Sequence, residues 1–444
     1  MSTKGARNYR PEIHFTPKTG WINDPNGLVY VDGVYHLFAQ YFPEPHWGPM
    51  HWYHAQSRDL IHWEHLPVAL APDELGLIFS GSAVYDARNT SGFGSAEKPP
   101  IVAMYTSHSE HEQQSIAWST DGVNFNKYEG NPVIPNTELR DFRDPKVFAN
   151  PIRGGWSVVL SVGDRAMFYA SEDLKNWTKT GEFGPDGNRS EGVWECADLF
   201  PLELGGGEKW ILLVSMGPNK PNHGARTQYF IGNFDGDKFV CDTPFDRAEF
   251  IDGGLDNYAA VTYNNAPDRT LIGWAANWVY ANDLPTGNFC CQMTLARKLS
   301  LMHTPLGGIR LAQQPVLPDF NPTERIDGEL FKLTVSGEGA ATVRLTNGGE
   351  WFDFGVNNEN ELFIDRSHAG EKDFNADFAD DWYSKISAPR LFDGHWTLEL
   401  IFDRSVTELY CDGGTRVMTN LVYPTKPYDR AEVLSGNAKI EISK

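Results

Sequence analysis

The sequence predicts an all-β fold, a five-bladed β-propeller followed by a C-terminal β-sandwich. Three observations carry this expectation. Hydrophobic residues recur mostly with a period of two, and no long stretch shows the 3.6-residue period of an amphipathic helix. Aromatic residues make up 13% of the chain, and glycine (42) and proline (28) are frequent, as expected for many short strands joined by tight turns. A spaced pattern, Asp followed after three residues by Trp or Phe, recurs through the first half of the chain.

The first unit is a hairpin. Leu28-Val29-Tyr30-Val31 and Val34-Tyr35-His36-Leu37-Phe38 flank Asp32-Gly33, a dipeptide suited to the φ > 0 positions of a two-residue turn. The repeat follows as Asp59 to Trp63, Asp121 to Phe125, Asp173 to Trp177 and Asp235 to Phe239, at intervals of 62, 52 and 62 residues. Ser57, Ser119 and Ser171 stand two residues ahead of the first three marks. Each mark reads as a turn that closes a hairpin over an aromatic ring. A unit of this length suits one four-stranded blade, and the chain up to about residue 320 leaves room for a fifth. Gly205-Gly206-Gly207-Glu208-Lys209 lacks P-loop spacing and reads as one more hairpin turn.

The last part of the chain has another texture. Trp396, Leu398, Leu400 and Phe402 alternate with Thr397, Glu399 and Ile401, a half-buried strand with one position out of pattern. Asp412-Gly413-Gly414 turns the chain again, and Thr342-Val343-Arg344-Leu345 and Glu361-Leu362-Phe363-Ile364 also read as strands. The expected domains are residues 1–320 for the propeller and 325–444 for the sandwich, divided near Asn321-Pro322-Thr323-Glu324-Arg325.

Composition excludes several partners. The formal net charge of −21 leaves no basic excess for nucleic acid or an anionic membrane. No apolar run is long enough to span a bilayer. The five cysteines, Cys196, Cys241, Cys290, Cys291 and Cys411, show no C-x-x-C spacing, so neither a disulfide framework nor a zinc site is expected. No histidine is assigned to a metal, and no cofactor is expected. The N-terminal residues are polar and lack a secretory h-region, which makes the cytoplasm the expected location, although a chain with its leader removed would read the same. Sequons at Asn89, Asn176 and Asn188 carry no weight without such a signal.

Three acids stand out by context: Asp24 in Trp21-Ile22-Asn23-Asp24-Pro25-Asn26-Gly27, Asp144 in Phe142-Arg143-Asp144-Pro145, and Glu195 in Trp194-Glu195-Cys196. Read singly they are a turn, a local ion pair and a surface carboxylate. Together they precede repeat marks by similar offsets (35, 29 and 40 residues), and Phe79-Ser80-Gly81-Ser82 keeps the same rule at 41. Those offsets place them near the first strand of their blades, the strand that lines the channel, so they converge. A carboxylate cluster walled by aromatics suits glycoside cleavage. One acid must be ionised to attack an oxocarbenium-like centre, and the other must be protonated to serve the leaving oxygen. Neighbouring like charges help hold that proton.

The same motifs, in this order, resemble the signature set of glycoside hydrolase family 32, the family of invertases, inulinases and levanases. The resemblance extends to Arg310-Leu311-Ala312-Gln313-Gln314-Pro315-Val316 at the domain junction and to Phe402-Asp403-Arg404-Ser405. It implies a propeller followed by a sandwich, and a retaining double displacement on terminal β-fructosides. By resemblance Asp24 is the nucleophile, Glu195 the general acid/base, and Asp144 the transition-state stabiliser acting with Arg143 on fructose hydroxyls. Asn23, Gln40, Trp47, Phe79 and Ser80 match positions that shape the fructosyl subsite; Tyr258 and Trp278 match more loosely. Ile22 stands where the family often has Met, and Phe289-Cys290-Cys291-Gln292 is unusual. Residues 69–93 look closer to exo-acting inulinases and levanases than to plant invertases. The implied partners are fructose-containing oligosaccharides, sucrose and short inulin- or levan-type chains. A fructosyltransferase and a non-catalytic sugar-binding propeller are the alternatives. The oligomeric state stays open, a homo-oligomer included.

Overall fold

The structure, a computed structural model, describes residues 7–185, 192–242 and 248–444. Residues 1–6 and the sequon at Asn188 lie outside them. Five sheets of antiparallel strands succeed one another along the chain and form the blades of a propeller; two larger sheets follow and form a sandwich. The expected fold class is thus the observed one.

Each blade begins with its inner strand. These inner strands are Gly20–Val31, Leu77–Tyr85, Phe142–Ala149, Trp194–Leu204 and Tyr258–Thr262. The Asp32-Gly33 hairpin forms as expected, both residues at positive φ (51° and 82°), joining Gly20–Val31 to Val34–Phe42. The four repeat marks link the third and fourth strands of blades 1 to 4, and their geometry is local. Asp121 Oδ1 accepts the backbone N–H groups of Val123 and Asn124 at 2.9 and 2.8 Å, and Asp59, Asp173 and Asp235 repeat the arrangement. The Asn124 side chain and these N–H donors hold the Asp121 carboxyl well below the usual carboxylate range. Phe125 meets Phe38 of the preceding blade edge to face at 5.3 Å, so a turn residue also joins blades.

Buried polar contacts lock the inner strands together. Asn264, just past the inner strand of blade 5, donates its side-chain amide to the carbonyls of Ala83 and Val147, both at 2.8 Å, and its backbone N–H to Leu28 at 2.9 Å. One buried residue thereby ties blade 5 to blades 1, 2 and 3. Lys146 of blade 3 pairs with Asp198 of blade 4 at 3.1 Å and donates to the carbonyl of Thr262. Groups this deep need partners, and each finds one across a blade boundary. Blade 5 also closes on blade 1 through Phe289–Cys290, which pairs parallel with Gly20 and Trp21. That pairing is the place of the unusual Cys290-Cys291 run.

The sandwich stacks a six-stranded sheet on a five-stranded one. Pairing starts at Pro322–Thr323, which joins the C-terminal strand Ala438–Ser443. Leu398, Leu400 and Phe402 fill the core between the sheets. Ile401, the position that broke the alternation, is also buried, but against Ile13 and Leu295 of the propeller. The strand therefore has two buried faces over that stretch, one for each domain. Ion pairs cross the same boundary. Arg297, fully buried in blade 5, contacts Asp252 at 3.0 Å and sandwich Glu408 at 2.9 Å. Against its burial, Arg297 and His14 hold the Glu408 carboxyl down at about 2. Removing one partner of such a set costs about 3–5 kcal/mol, so the domains are bound as one unit.

Candidate active site

All five inner strands carry a register shift near their start. The shifts fall between Ile22 and Pro25, Ile78 and Gly81, Arg143 and Lys146, Glu195 and Asp198, and Tyr258 and Val261. A bulge leaves residues unpaired with the neighbouring strand and re-aims their side chains. The unpaired residues are Asn23-Asp24, Phe79-Ser80, Asp144-Pro145, Cys196-Ala197 and Ala259-Ala260, while Glu195 and Tyr258 are the last paired residues before their bulges. Asn-Asp-Pro-Asn-Gly is therefore no turn but a bulged strand. Asp144, Cys196 and Ala259 sit at positive φ (63°, 49° and 52°), a conformation costing roughly 1–3 kcal/mol each away from glycine. Three of the chain's positive-φ positions thus fall beside the converging acids.

Asp24, Asp144 and Glu195 line one cavity of about 280 Å³. Asn23, Gln40, Trp47, Phe79, Ser80, Arg143 and Trp278 complete its wall, together with Met50, which no sequence motif marked. Tyr258 is placed beside the cavity and acts through Glu195, to whose Oε2 its hydroxyl donates. A larger groove of about 750 Å³ on the sandwich brings together two acids, Glu359 and Asp365, against the three here.

The acids share a hydrogen-bond frame. Ser80 Oγ donates to Asp24 Oδ2 at 2.6 Å, and the Cys196 N–H donates to Asp144 Oδ2 at 2.9 Å. The Asp144 N–H in turn reaches Thr106 Oγ1 at 3.0 Å. Arg143 donates to Glu195 Oε1 at 3.0 Å and is held from behind by Asp141 (2.8 Å) and Glu112 (3.2 Å). The sequence reading expected Arg143 to bind fructose hydroxyls beside Asp144. In the structure Arg143 lines the cavity beside Asp144, and its guanidinium also pairs with three carboxylates, of which Glu112 and Asp141 lie in no recognised motif. Among the described residues, Asp24 Oδ1 and Gln40 Nε2 are buried with no hydrogen-bond partner, as a surface built for hydroxyl groups requires. The aromatic walls are braced: Phe79 stacks on His108 at 4.0 Å and Trp278 on Trp21 at 5.8 Å, while Trp47 stays 43% exposed at the mouth.

Electrostatics separate the carboxyls. Burial pushes Asp144 up to about 8; Arg143 opposes the shift, and Glu195 and Asp24 add to it. Burial also raises Glu195, against Arg143 and Tyr258 and with Asp24. Asp144 thus keeps its proton near neutral pH, and Glu195 is shifted in the direction an acid catalyst needs. A stability effect follows. An unfolded Asp loses its proton near pH ~3.9, whereas folded Asp144 keeps its own until about 8. Between those values the folded state binds the extra proton, so this group's penalty grows as pH rises through the window. Asp144→Asn is expected to raise Tm most at pH 8 and least near pH 4, with activity lost. Melting curves at both pH values check this; equal shifts at the two would exclude a buried, proton-holding Asp144.

Comparisons with known proteins bear on the family and the fold. Residues 14–315 match the glycosyl hydrolases family 32 N-terminal domain, and residues 328–444 match the glycosyl hydrolases family 32 C-terminal domain. The chain is 40% identical to a levanase of Bacillus subtilis (strain 168), covering 98% of this chain and 69% of the levanase. It is 35% identical to an extracellular exo-inulinase of Aspergillus awamori, covering 98% and 93%. The crystal structure of an exo-inulinase from Aspergillus awamori superposes with a TM-score of 0.90 at 32% identity, covering 100% of this chain and 99% of that one. With both domain models matched in order over the propeller and the sandwich, the chain belongs to glycosyl hydrolase family 32.

Proposed function

We propose that the protein is a retaining β-fructofuranosidase that releases terminal β-D-fructofuranosyl units from sucrose and from short inulin- and levan-type oligosaccharides. The observation that carries this reading is the convergence of Asp24, Asp144 and Glu195, from three separate blades, on one cavity. Family membership and similarity to levanase, exo-inulinase and invertase sequences support it.

In the first step an Asp24 carboxylate oxygen attacks C2 of the terminal fructosyl unit. The C2–O glycosidic bond breaks as protonated Glu195 gives its proton to the departing oxygen. Asp24 is then esterified and Glu195 ionised. In the second step Glu195 takes a proton from water, the hydroxide oxygen bonds to C2, and the Asp24 carboxylate leaves. Each carboxyl ends as it began. Arg143 and Tyr258 hold the Glu195 carboxylate between the steps. Asp144 accepts hydrogen bonds from the fructosyl hydroxyls at its carboxyl oxygens, which lends them electron density as positive charge builds at the oxocarbenium-like centre. Among the described residues the cavity wall holds one cation, Arg143, which is paired with three carboxylates.

The test compares fructose release from sucrose, 1-kestose, inulin, levan and sucrose phosphate, with the first-formed anomer read by NMR. Fructose released first as the β-anomer from unphosphorylated substrates is the expected result. An inverted product would sink the double displacement. Longer oligosaccharides accumulating at high sucrose would assign the chain to fructosyl transfer, and binding with no release would assign it to sugar recognition alone.

A further inference from the structure

One tryptophan outside the cavity is exposed, rigid and unexplained by the chemistry above. Trp382 belongs to the sandwich, in the single turn Asp381–Tyr383 that follows the short helix Ala376–Ala379. Its side chain is 42% exposed, much like Trp47 at the cavity mouth. An indole left this open loses hydrophobic stabilisation, yet this one is fixed in place from several sides. One face lies on the His223 imidazole of blade 4, with centroids 4.4 Å apart and planes 9° from parallel. Its Nε1 donates to the Lys220 carbonyl at 3.0 Å, and its own carbonyl accepts from His223 Nδ1 at 2.6 Å. The turn is anchored beneath by fully buried Arg366, whose Nη2 donates to the Tyr383 carbonyl at 2.8 Å.

The segment that carries Trp382 meets the cavity rim at two points. At one end Asn375 donates to Asp283 Oδ2 at 2.7 Å, and the neighbouring Asn282 accepts the backbone N–H of Trp47 at 3.0 Å. At the other end His223, under the indole, accepts at its carbonyl from Asn277 at 3.0 Å, and Asn277 precedes the wall residue Trp278. A single loop of the second domain is thus linked by hydrogen bonds to both the Trp47 and the Trp278 sides of the mouth and carries a half-exposed indole fixed in orientation.

We infer that Trp382 is an outer sugar-binding platform on which the leaving portion of a fructo-oligosaccharide stacks, so that the sandwich contributes directly to substrate choice. This rests on the fructosidase reading of the cavity. Sugar rings present C–H faces to flat aromatics, and a ring already locked in orientation loses little entropy on binding. Sucrose, with only two rings, is handled within the inner cavity; a longer chain extends outward to the indole.

The experiment measures kcat/KM on sucrose and on a longer inulin-type oligosaccharide for the native enzyme, Trp382→Ala and Trp382→Phe. In Trp382→Ala the oligosaccharide value is expected to fall about tenfold through a raised KM, and the sucrose value to stay within about twofold. Trp382→Phe, which keeps a ring, should recover most of the loss. Equal losses on both substrates would make Trp382 a structural residue, and no loss on either would leave it without a role in binding; both overturn the inference. The native enzyme's own turnover is read first: release from sucrose and chains keeps the fructosidase reading whatever the variants do, and absence of release from every fructoside would fail that reading itself.

Discussion

Asp24→Asn is expected to lower kcat on sucrose by at least about 10⁴-fold while leaving the fold intact. The substitution is nearly isosteric. An Asn side-chain oxygen can still accept the Ser80 hydroxyl that now bonds Asp24 Oδ2 at 2.6 Å. What disappears is the carboxylate that would bond to C2, and an amide cannot replace it as a nucleophile. Stability is expected to hold or rise at neutral pH, because Asp24 is one of the charges that push Asp144 and Glu195 up. Steady-state kinetics and a melting curve on the same preparation separate the two effects. A variant that turned over within about tenfold of the native rate, with an unchanged melting curve, would remove Asp24 from the nucleophile's role.

The parts legible in the sequence are those whose causes are local. The four Asp marks could be read because an Asp that caps its own turn needs only the next three residues. The fifth blade carries no mark, since its hairpin closes otherwise, with Thr304 Oγ1 donating to the Gly308 carbonyl at 2.9 Å. The three acids were legible through their motifs, but their conformation was not. Asn-Asp-Pro-Asn-Gly has the composition of a turn, and only pairing with Val34–Phe42 makes it a bulged inner strand. That pairing is a tertiary fact. The same holds for the residues around Arg143. Glu112 lies on a different blade, and nothing in its own neighbourhood marks it as a partner of the site. Thr106 is likewise brought in by a neighbouring strand, and Met50 by the loop before His51–Ser57. Ile401 shows the opposite case, a visible irregularity whose cause lies in the other domain.

Glu195→Ala tests the second half of the mechanism, with an expected loss on sucrose of about 10²–10⁴-fold. Its diagnostic feature is rescue. With the acid gone the first step is slow, and with the base gone water attacks the Asp24 ester slowly as well. Azide needs no base: its terminal nitrogen bonds to C2, the C2–O bond to Asp24 breaks, and the carboxylate is restored. Adding azide to Glu195→Ala with an activated fructoside should therefore raise turnover and give the β-fructosyl azide. Two inversions retain configuration, so the α-azide would overturn the assignment. The pH profile supplies a second readout. In the native enzyme Glu195 must begin protonated, so kcat/KM falls on the alkaline side as pH rises through its raised pKa. That limb should vanish in Glu195→Ala. In Tyr258→Phe it should persist and move to higher pH, because the lost hydroxyl favoured the ionised carboxylate. A general acid whose proton is tuned by a tyrosine on a neighbouring inner strand must give that displacement; a carboxylate that only binds sugar would lose affinity without moving the limb.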